Sequence, residues 1–349
     1  MSISMSDWKQ TLMPSDAPYP ALTPVELSVG FVACVTDQGL IAVQGDDAAS
    51  FLHSQLTNDV EHLGADDVRL AGYCTPKGRL QATFTMWRGT ADDPNGVMLQ
   101  LAREIQPALQ KRLSMFVLRA KAKLADATDA PSSAVVLGLG GGMAEAVLQT
   151  WFDVLPQQAY TKVSHPLGTL LRLGDAFGAP RYLWLTSHDT ANTVAPVLAD
   201  RLNVGGNDAW RLAAIHAGVP QVTAATQEQF VPQMINLELL GGVNFKKGCY
   251  PGQEIVARSQ YLGKLKRRTA LARIADPGLS AGAEVFAVSD PSQPCGMVVN
   301  AAANGEGGVD ALVEMKLEAL EQGVVRARSA DGVPLAFLPM PYVLDKLDV

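Results

Sequence analysis

Between Thr269 and Leu338, short apolar stretches recur with turn residues between them, and no other feature limits the fold so tightly. The stretches are Ala270–Ile274, Glu284–Val288, Cys295–Asn300, Ala311–Leu317, Gly323–Arg328 and Pro334–Leu338. Asp276-Pro277-Gly278, Asp290-Pro291, Asn304-Gly305 and Asp331-Gly332 punctuate them. Several short strands at this spacing predict a small antiparallel barrel over residues 269–349. A chain of 349 residues has room for one or two further units upstream.

The upstream part reads differently. Residues 39–45 form a short strand, and Asp46 or Asp47 can cap a helix whose apolar positions are Ala48, Phe51, Leu52 and Leu56. A strand around Tyr73 leads into Thr75-Pro76-Lys77-Gly78, a tight turn with Pro second and Gly last, and Leu80–Trp87 returns. Ala102–Leu113 reads as helix and Met115–Leu124 as extended chain. Hairpins mixed with crossovers exclude a purely parallel sheet. The run Gly138-Leu139-Gly140-Gly141-Gly142-Met143 invites a dinucleotide-binding reading. Its last position should be Gly or Ala, and no acidic residue stands about 20 residues on, so a strand–turn–helix connection explains it better.

Several function classes fall away. No apolar stretch approaches bilayer length, and Met1–Ala21 lacks the basic start and apolar middle of a signal peptide. Residues 1–25 therefore read as a loosely ordered lead-in and the protein as cytoplasmic, with no membrane partner. Cys34, Cys74, Cys249 and Cys295 are scattered without a C-x-x-C spacing, which disfavours a disulfide framework or structural zinc. The five histidines show no metal-ligand spacing either, so no metal site is expected.

The net charge is −7, yet Lys246, Lys247, Arg258, Lys264, Lys266, Arg267 and Arg268 crowd residues 246–268 against one acid, Glu254. Such a segment is either a local anion site or a solvated helix face. Within it, Tyr250-Pro251-Gly252-Gln253 has the composition of a type II turn. Glu254–Gln260 can follow as a short helix, with Gly263 as a terminator. Cys249 then lies just before a helix N-terminus, near Lys246 and Lys247. Both surroundings favour thiolate over thiol, which titrates at ~8.5 when free. A lone cysteine is also often a small buried hydrophobe. Here its neighbours are Lys, Gly, Pro, Gln and Glu, a composition of loops. Gly248 and Gly252 leave room for a ligand to approach the backbone.

The run Lys247-Gly248-Cys249-Tyr250-Pro251-Gly252-Gln253-Glu254 resembles the signature of the YgfZ family, Lys-Gly-Cys-(Phe/Tyr)-x-Gly-Gln-Glu. The flanks are similar too: Arg211–Pro220 and Pro232–Glu238 upstream, Glu254–Arg258 and Tyr261–Lys264 downstream. Gly45–Ala48, Phe51-Leu52 and Leu56-Thr57-Asn58-Asp59-Val60 resemble the start of the same superfamily.

The resemblance implies an α+β, aminomethyltransferase-like fold. In it, two N-terminal α/β subdomains (residues 26–245) surround a tetrahydrofolate pocket, the signature spans 246–268, and the C-terminal antiparallel β-barrel follows. It implies a tetrahydrofolate-binding accessory protein for iron–sulfur cluster assembly or repair. Its partners would be iron–sulfur proteins or their assembly factors, with an indirect link to tRNA through the enzymes that modify it. Cys249 would be the key residue, Lys247 would lower its pKa, and Gly248, Tyr250, Gly252, Gln253, Glu254 and Arg258 would hold or orient the cofactor.

Two other readings stand beside this one. The first is a folate-dependent one-carbon transferase. The aminomethyltransferase carries paired aspartates in an early hairpin, and the comparable stretch here, Lys77–Thr83, has no carboxylate to position a folate amine. The second is a tRNA-binding module built on the basic segment, for which Phe245, Tyr250 and Tyr261 offer little stacking support.

Overall fold

The computed structural model describes residues 7–13, 19–89, 93–128, 134–261 and 265–344. Two short helices, α1 (Trp8–Leu12) and α2 (Pro24–Val29), precede β1 (Phe31–Cys34). Thr23 and Glu26 form a reciprocal capping box at α2, with Pro24 at its first position. The lead-in expected to be loose is thus in part packed helix: Trp8 and Leu12 are buried, and α1 lies against the later helix His188–Arg201.

Next come β2 (Gln38–Gln44), α3 (Ala48–Gln55), β3 (Val68–Cys74), β4 (Leu80–Arg88), β5 (Val97–Ala102), α4 (Gln106–Ser114) and β6 (Lys123–Asp126). The four longer strands and β6 form one antiparallel sheet, ordered β3-β4-β5-β2-β6. Ile41, Val43, Phe51, Leu52, Leu56, Leu99 and Leu109 seal α3 and α4 onto it. Asp47 does stand at the head of α3, but its carboxylate caps nothing there and instead accepts the Lys121 N–H at 2.7 Å. The extended chain expected over 115–124 is a correction. Phe116, Val117 and Ala120 close turns onto Leu113, Ser114 and Val117, and strand begins only at Lys123. Leu118 sits at φ +41°, a value that breaks an extended run.

The chain continues through β7 (Val135–Gly140), α5 (Ala144–Leu148), β8 (Thr161–His165), β9 (Gly168–Ala176), β10 (Ala179–Thr186), α6 (His188–Arg201), β11 (Asn203–Gly205) and α7 (Asn207–His216). With β1 these strands make a second sheet, β11-β1-β7-β10-β9-β8, in which β1 pairs parallel with β11 and antiparallel with β7. The glycine run at 138–143 is packing, not phosphate binding. A Cβ at Gly138 would lie 2.4 Å from the Trp210 ring, and one at Gly141 (φ +85°) 2.4 Å from the Leu27 carbonyl. No helix among the described residues is long and apolar enough to cross a membrane.

After α8 (Gln253–Tyr261) the third sheet begins: β12 (Arg267–Ile274), β13 (Glu284–Ala287), β14 (Gly296–Ala303), β15 (Val309–Lys316), α9 (Leu317–Gln322), β16 (Val325–Ala327) and β17 (Leu335–Leu338). Its order is β16-β13-β14-β15-β12-β17, all antiparallel, and a bridge between Arg326 and Pro334 joins the outer strands. The sheet curls around Ala272, Ile274, Val285, Val298, Val313 and Met315, as the spacing of short apolar stretches predicts.

A central cluster including Leu70, Trp87, Leu171, Leu183, Trp210, Ile215, Val299 and Leu312 draws on all three sheets and α7. A polar clasp ties α7 to the third sheet. Asp310 in β15, fully buried, accepts from His216 Nε2 at 2.7 Å, Arg273 Nε at 2.8 Å and Asn304 Nδ2 at 3.0 Å. The His216 ring stacks on Phe177, 4.4 Å between centroids, in the β9–β10 turn. His216 is thus a packed helix residue.

Candidate functional site

The signature segment is held from both ends. Upstream, Thr57 Oγ1 donates to the Gly242 carbonyl at 2.7 Å, and Asn58 Nδ2 reaches the Leu70 and Gly241 carbonyls at 2.7 Å each. Asn244 Oδ1 then accepts the N–H groups of Lys246 and Lys247 at 2.8 and 3.1 Å, a side-chain turn that launches the loop.

Downstream, the expected turn forms: Gln253 N–H donates to the Tyr250 carbonyl at 3.2 Å, and Gly252 lies at φ +80°. It stacks on the β3–β4 turn, where Gly78 (φ +72°) closes onto Thr75 at 2.9 Å. A Cβ at Gly252 would meet the Thr75 carbonyl oxygen at 2.4 Å and the Gly78 Cα at 2.7 Å. The space expected at Gly252 for a ligand is therefore filled by a second turn. Gly248 differs, since a Cβ there would meet only His53 Nε2, at 3.8 Å.

Lys247 does more than carry charge. Its ammonium donates to the carbonyls of His53 (2.5 Å), Leu56 (3.0 Å) and Gly248 (3.2 Å), and lies 4.8 Å from the centre of the Tyr250 ring. Two of those carbonyls end α3, so Lys247 caps the helix C-terminus, where a cation is favoured. Burial lowers the ammonium to about 8, although Asp59, Cys249 and Glu61 act in the opposite sense. Tyr250 is buried, and its hydroxyl is pushed up by burial and by Cys74. Cys249, between these two anchors, is exposed, whereas Cys34, Cys74 and Cys295 are buried.

Gln253 opens α8, and Glu254 and Arg258 are exposed on it one turn apart. The rest of the basic segment is divided between internal pairs and exposed charges. Arg268 pairs with Glu238 in the interior and donates to the Gln233 carbonyl, and Arg267 pairs with buried Glu314. Lys246, Arg258 and Lys266 remain exposed, while Lys264 and the expected terminator Gly263 lie outside the described residues.

A cavity of about 80 Å³ lies between the first two sheets and α7, walled by Gln38, Thr83, Gln100, Arg181, Trp210 and Gln221 among others. The Arg181 guanidinium, buried, stacks 5.1 Å from the Trp210 ring and donates to the Gly174 carbonyl at 2.8 Å. Burial lowers it to about 10. Gln100 Nε2 is buried without a hydrogen-bond partner. None of the binding residues expected between 248 and 258 lines this cavity. Thr83, Arg211, Ala214, Val219, Pro220 and Leu237 of its lining fall in stretches that the resemblance marked, but their joint role did not show, because the walls come from positions 38 to 237. The hairpin that lacks aspartates meets a carboxylate from elsewhere: Gln81 Nε2 donates to Glu228 Oε1 at 2.8 Å.

The three sheets in this arrangement have the aminomethyltransferase class of fold. The chain superposes on the glycine cleavage system aminomethyltransferase T from Bartonella henselae with a TM-score of 0.72, covering 92% of this chain and 91% of that one at 18% identity. That likeness fixes the fold alone. No family profile matches the chain. It is 31% identical over 317 residues to the tRNA-modifying protein YgfZ of Cronobacter sakazakii, spanning 89% of this chain and 92% of the relative. To the proteins of that name from Escherichia fergusonii and Yersinia enterocolitica it is 30% and 29% identical, over 89% and 94% of this chain and 92% and 97% of theirs. The chain belongs to the YgfZ family.

Proposed function

We propose that this chain is a cytoplasmic, tetrahydrofolate-binding accessory protein for iron–sulfur cluster assembly or repair, acting through the Cys249 thiol. Its partners are iron–sulfur proteins or their assembly factors, and its connection to tRNA runs through iron–sulfur enzymes that modify it. The observation that carries this reading is the exposure of Cys249 on a loop pinned at both ends, while the three other cysteines are buried. The name of the relatives, tRNA-modifying protein, points to the same process.

The central cavity fits the chemistry of a folate. Gln100 Nε2 is a buried donor in want of an acceptor, and Arg181 offers a cation for a carboxylate. At about 80 Å³ the cavity is below the ~300–1,000 Å³ of typical ligand pockets, so its walls must part on binding. When bound, tetrahydrofolate supplies a carrier for a one-carbon unit. Gln100→Leu is expected to weaken tetrahydrofolate binding about tenfold, the value of one hydrogen bond of ~1.4 kcal/mol. Titration by intrinsic tryptophan fluorescence measures this; an unchanged Kd would place the folate elsewhere.

In this reading Cys249 is the reacting group and Lys247 fixes its loop and adds positive charge. Gly248, Tyr250, Gly252 and Gln253 shape the loop, and Glu254 and Arg258 orient what approaches the thiol. The transferase alternative is weaker because Lys77–Thr83 carries no carboxylate of its own, and Glu228, which meets the hairpin, is tied to Gln81. The RNA-binding alternative is weaker because Lys247, Arg267 and Arg268 are spent internally.

The test is complementation. Deleting the gene should lower methylthio-modified nucleosides in tRNA, measured by mass spectrometry. Wild type should restore them and Cys249→Ser should not. Rescue by Cys249→Ser would reduce Cys249 to structure; no loss on deletion would remove the link to these enzymes.

A further inference from the structure

A second cleft, of about 300 Å³, lies between the β3–β4 turn, the chain at 229–234 and the third sheet. It reaches the lower end of ordinary ligand pockets and sits where two lobes meet. The register of the third sheet lays out one wall. Glu284 in β13 stands opposite Met297 in β14, and Met297 stands opposite Glu314 in β15. Directly opposed residues share a face, so these three side chains form a row across it. Strands lie ~4.8 Å apart, which sets the backbones of Glu284 and Glu314 ~10 Å from each other.

The two ends of the row differ in charge. At one end Glu314 is buried, and both its oxygens accept from Arg267, through Nε and through Nη2 at 2.9 Å. Nη2 also donates to the Cys295 carbonyl at 3.1 Å, so the guanidinium is fixed. Its Nη1 has no acceptor among the described residues. Arg79 joins this end from the opposite wall, with Nη1 donating to the Gln229 carbonyl at 2.5 Å and no carboxylate of the described residues in ion-pair distance. Its charge still reaches Glu314: burial pushes that carboxyl up, and the hydrogen bond and charge of Arg267, with the charge of Arg79, oppose it. Arg267 and Glu314 offset each other, so Arg79 leaves one cation in excess. At the other end Glu284 is exposed and pairs with no cation among the described residues, which leaves one anion in excess. Met297 lies between them in the row, and Phe230 and Met234 add further apolar lining.

We propose that this cleft binds a small ω-amino carboxylate, a carboxylate and an ammonium joined by a short apolar chain. The carboxylate accepts from Arg79 and from Arg267 Nη1, the chain lies over Met297, and the ammonium donates to Glu284. A plain anion would cover Glu284 without pairing it, a plain cation would do the same to Arg79, and covering an unpaired charge is costly. Charge-assisted hydrogen bonds at both ends supply the affinity, and the length of the row sets the spacing. No residue lines both this cleft and the central cavity, so the proposal stands apart from the folate and thiol readings.

Isothermal titration calorimetry of the full-length chain with 6-aminohexanoate tests it. Wild type should bind saturably at a single site. Hexanoate and hexylamine, each lacking one charged end, should bind about tenfold more weakly. Arg79→Gln and Glu284→Gln, both at exposed positions, should each weaken 6-aminohexanoate about tenfold, while Gln100→Leu in the central cavity should leave it unchanged. Absence of saturable binding, or an equal Kd in wild type and the two cleft variants, would overturn the proposal. Loss of binding in Gln100→Leu would also overturn it, by placing the ligand in the central cavity. Should a cleft variant fail to fold by circular dichroism, the two single-ended compounds decide alone, and binding as tight as that of 6-aminohexanoate overturns it.

Discussion

Replacing Asp310 by alanine is expected to lower the free energy of unfolding by about 3 kcal/mol, because it leaves buried donors facing a hole. His216, Arg273 and Asn304 all converge on this one carboxylate, which has no exposure. The clasp also carries a pH signature. Burial pushes the Asp310 carboxyl up, but the hydrogen bonds from His216, Arg273 and Asn304 outweigh it and hold it well below the usual range. A carboxyl with a depressed folded-state pKa stabilises fully above its unfolded value of ~3.9 and loses that contribution as pH falls through the folded one. Urea melts of wild type and Asp310→Asn should therefore differ by a constant amount above pH ~3.9 and converge as pH falls below it. A cost below 1 kcal/mol for Asp310→Ala at pH 7 would show that the third sheet is held to α7 by its apolar contacts alone.

Gly252→Ala should be similarly costly and should also silence Cys249. The left-handed conformation costs a side-chain-bearing residue ~1–2 kcal/mol, and the new methyl must displace backbone, not a rotamer. The Thr75 oxygen at 2.4 Å and Gly78 at 2.7 Å cannot yield without parting the two turns. A total of about 3 kcal/mol is expected. Gly78→Ala should be milder, since its Cβ meets the Ile255 Cβ at 3.0 Å and the nearest backbone oxygen, that of Gly252, only at 3.4 Å. Chemical denaturation orders the two variants, and complementation reads the thiol. Equal stabilities would mean that the turns do not bear on each other in solution.

What the sequence revealed, and what it hid, follows from distance along the chain. The third sheet is written in local turn residues, and its six apolar stretches reappear as β12 to β17. The turn at 250–253 is equally local, since Pro251 and Gly252 each satisfy one backbone requirement. The partner of Gly252 is 174 positions earlier, at Gly78, so its reason for being glycine was invisible. Lys247 looked like a charge for Cys249, and only the folded chain shows it ending α3. Met115–Leu118 misled for the opposite reason: an apolar run has the composition of a strand, while its backbone turns.

The parallel pairing of β1 with β11 bears on how the molecule is made. β1 finishes at Cys34, but the strand on its open edge does not begin until Asn203. Every strand of the β3-β4-β5-β2-β6 sheet lies between β1 and β7, the strand on its other edge. During synthesis that inserted sheet is complete once Asp126 has emerged, whereas β1 waits for some 170 further residues before both its neighbours exist. Closing so long a loop is slow, and an unpaired apolar strand is exposed to wrong partners meanwhile. The nascent chain therefore acquires one finished lobe early and carries Phe31–Cys34 as a sticky edge until β11 arrives, which makes this interval the one in which a chaperone has most to protect.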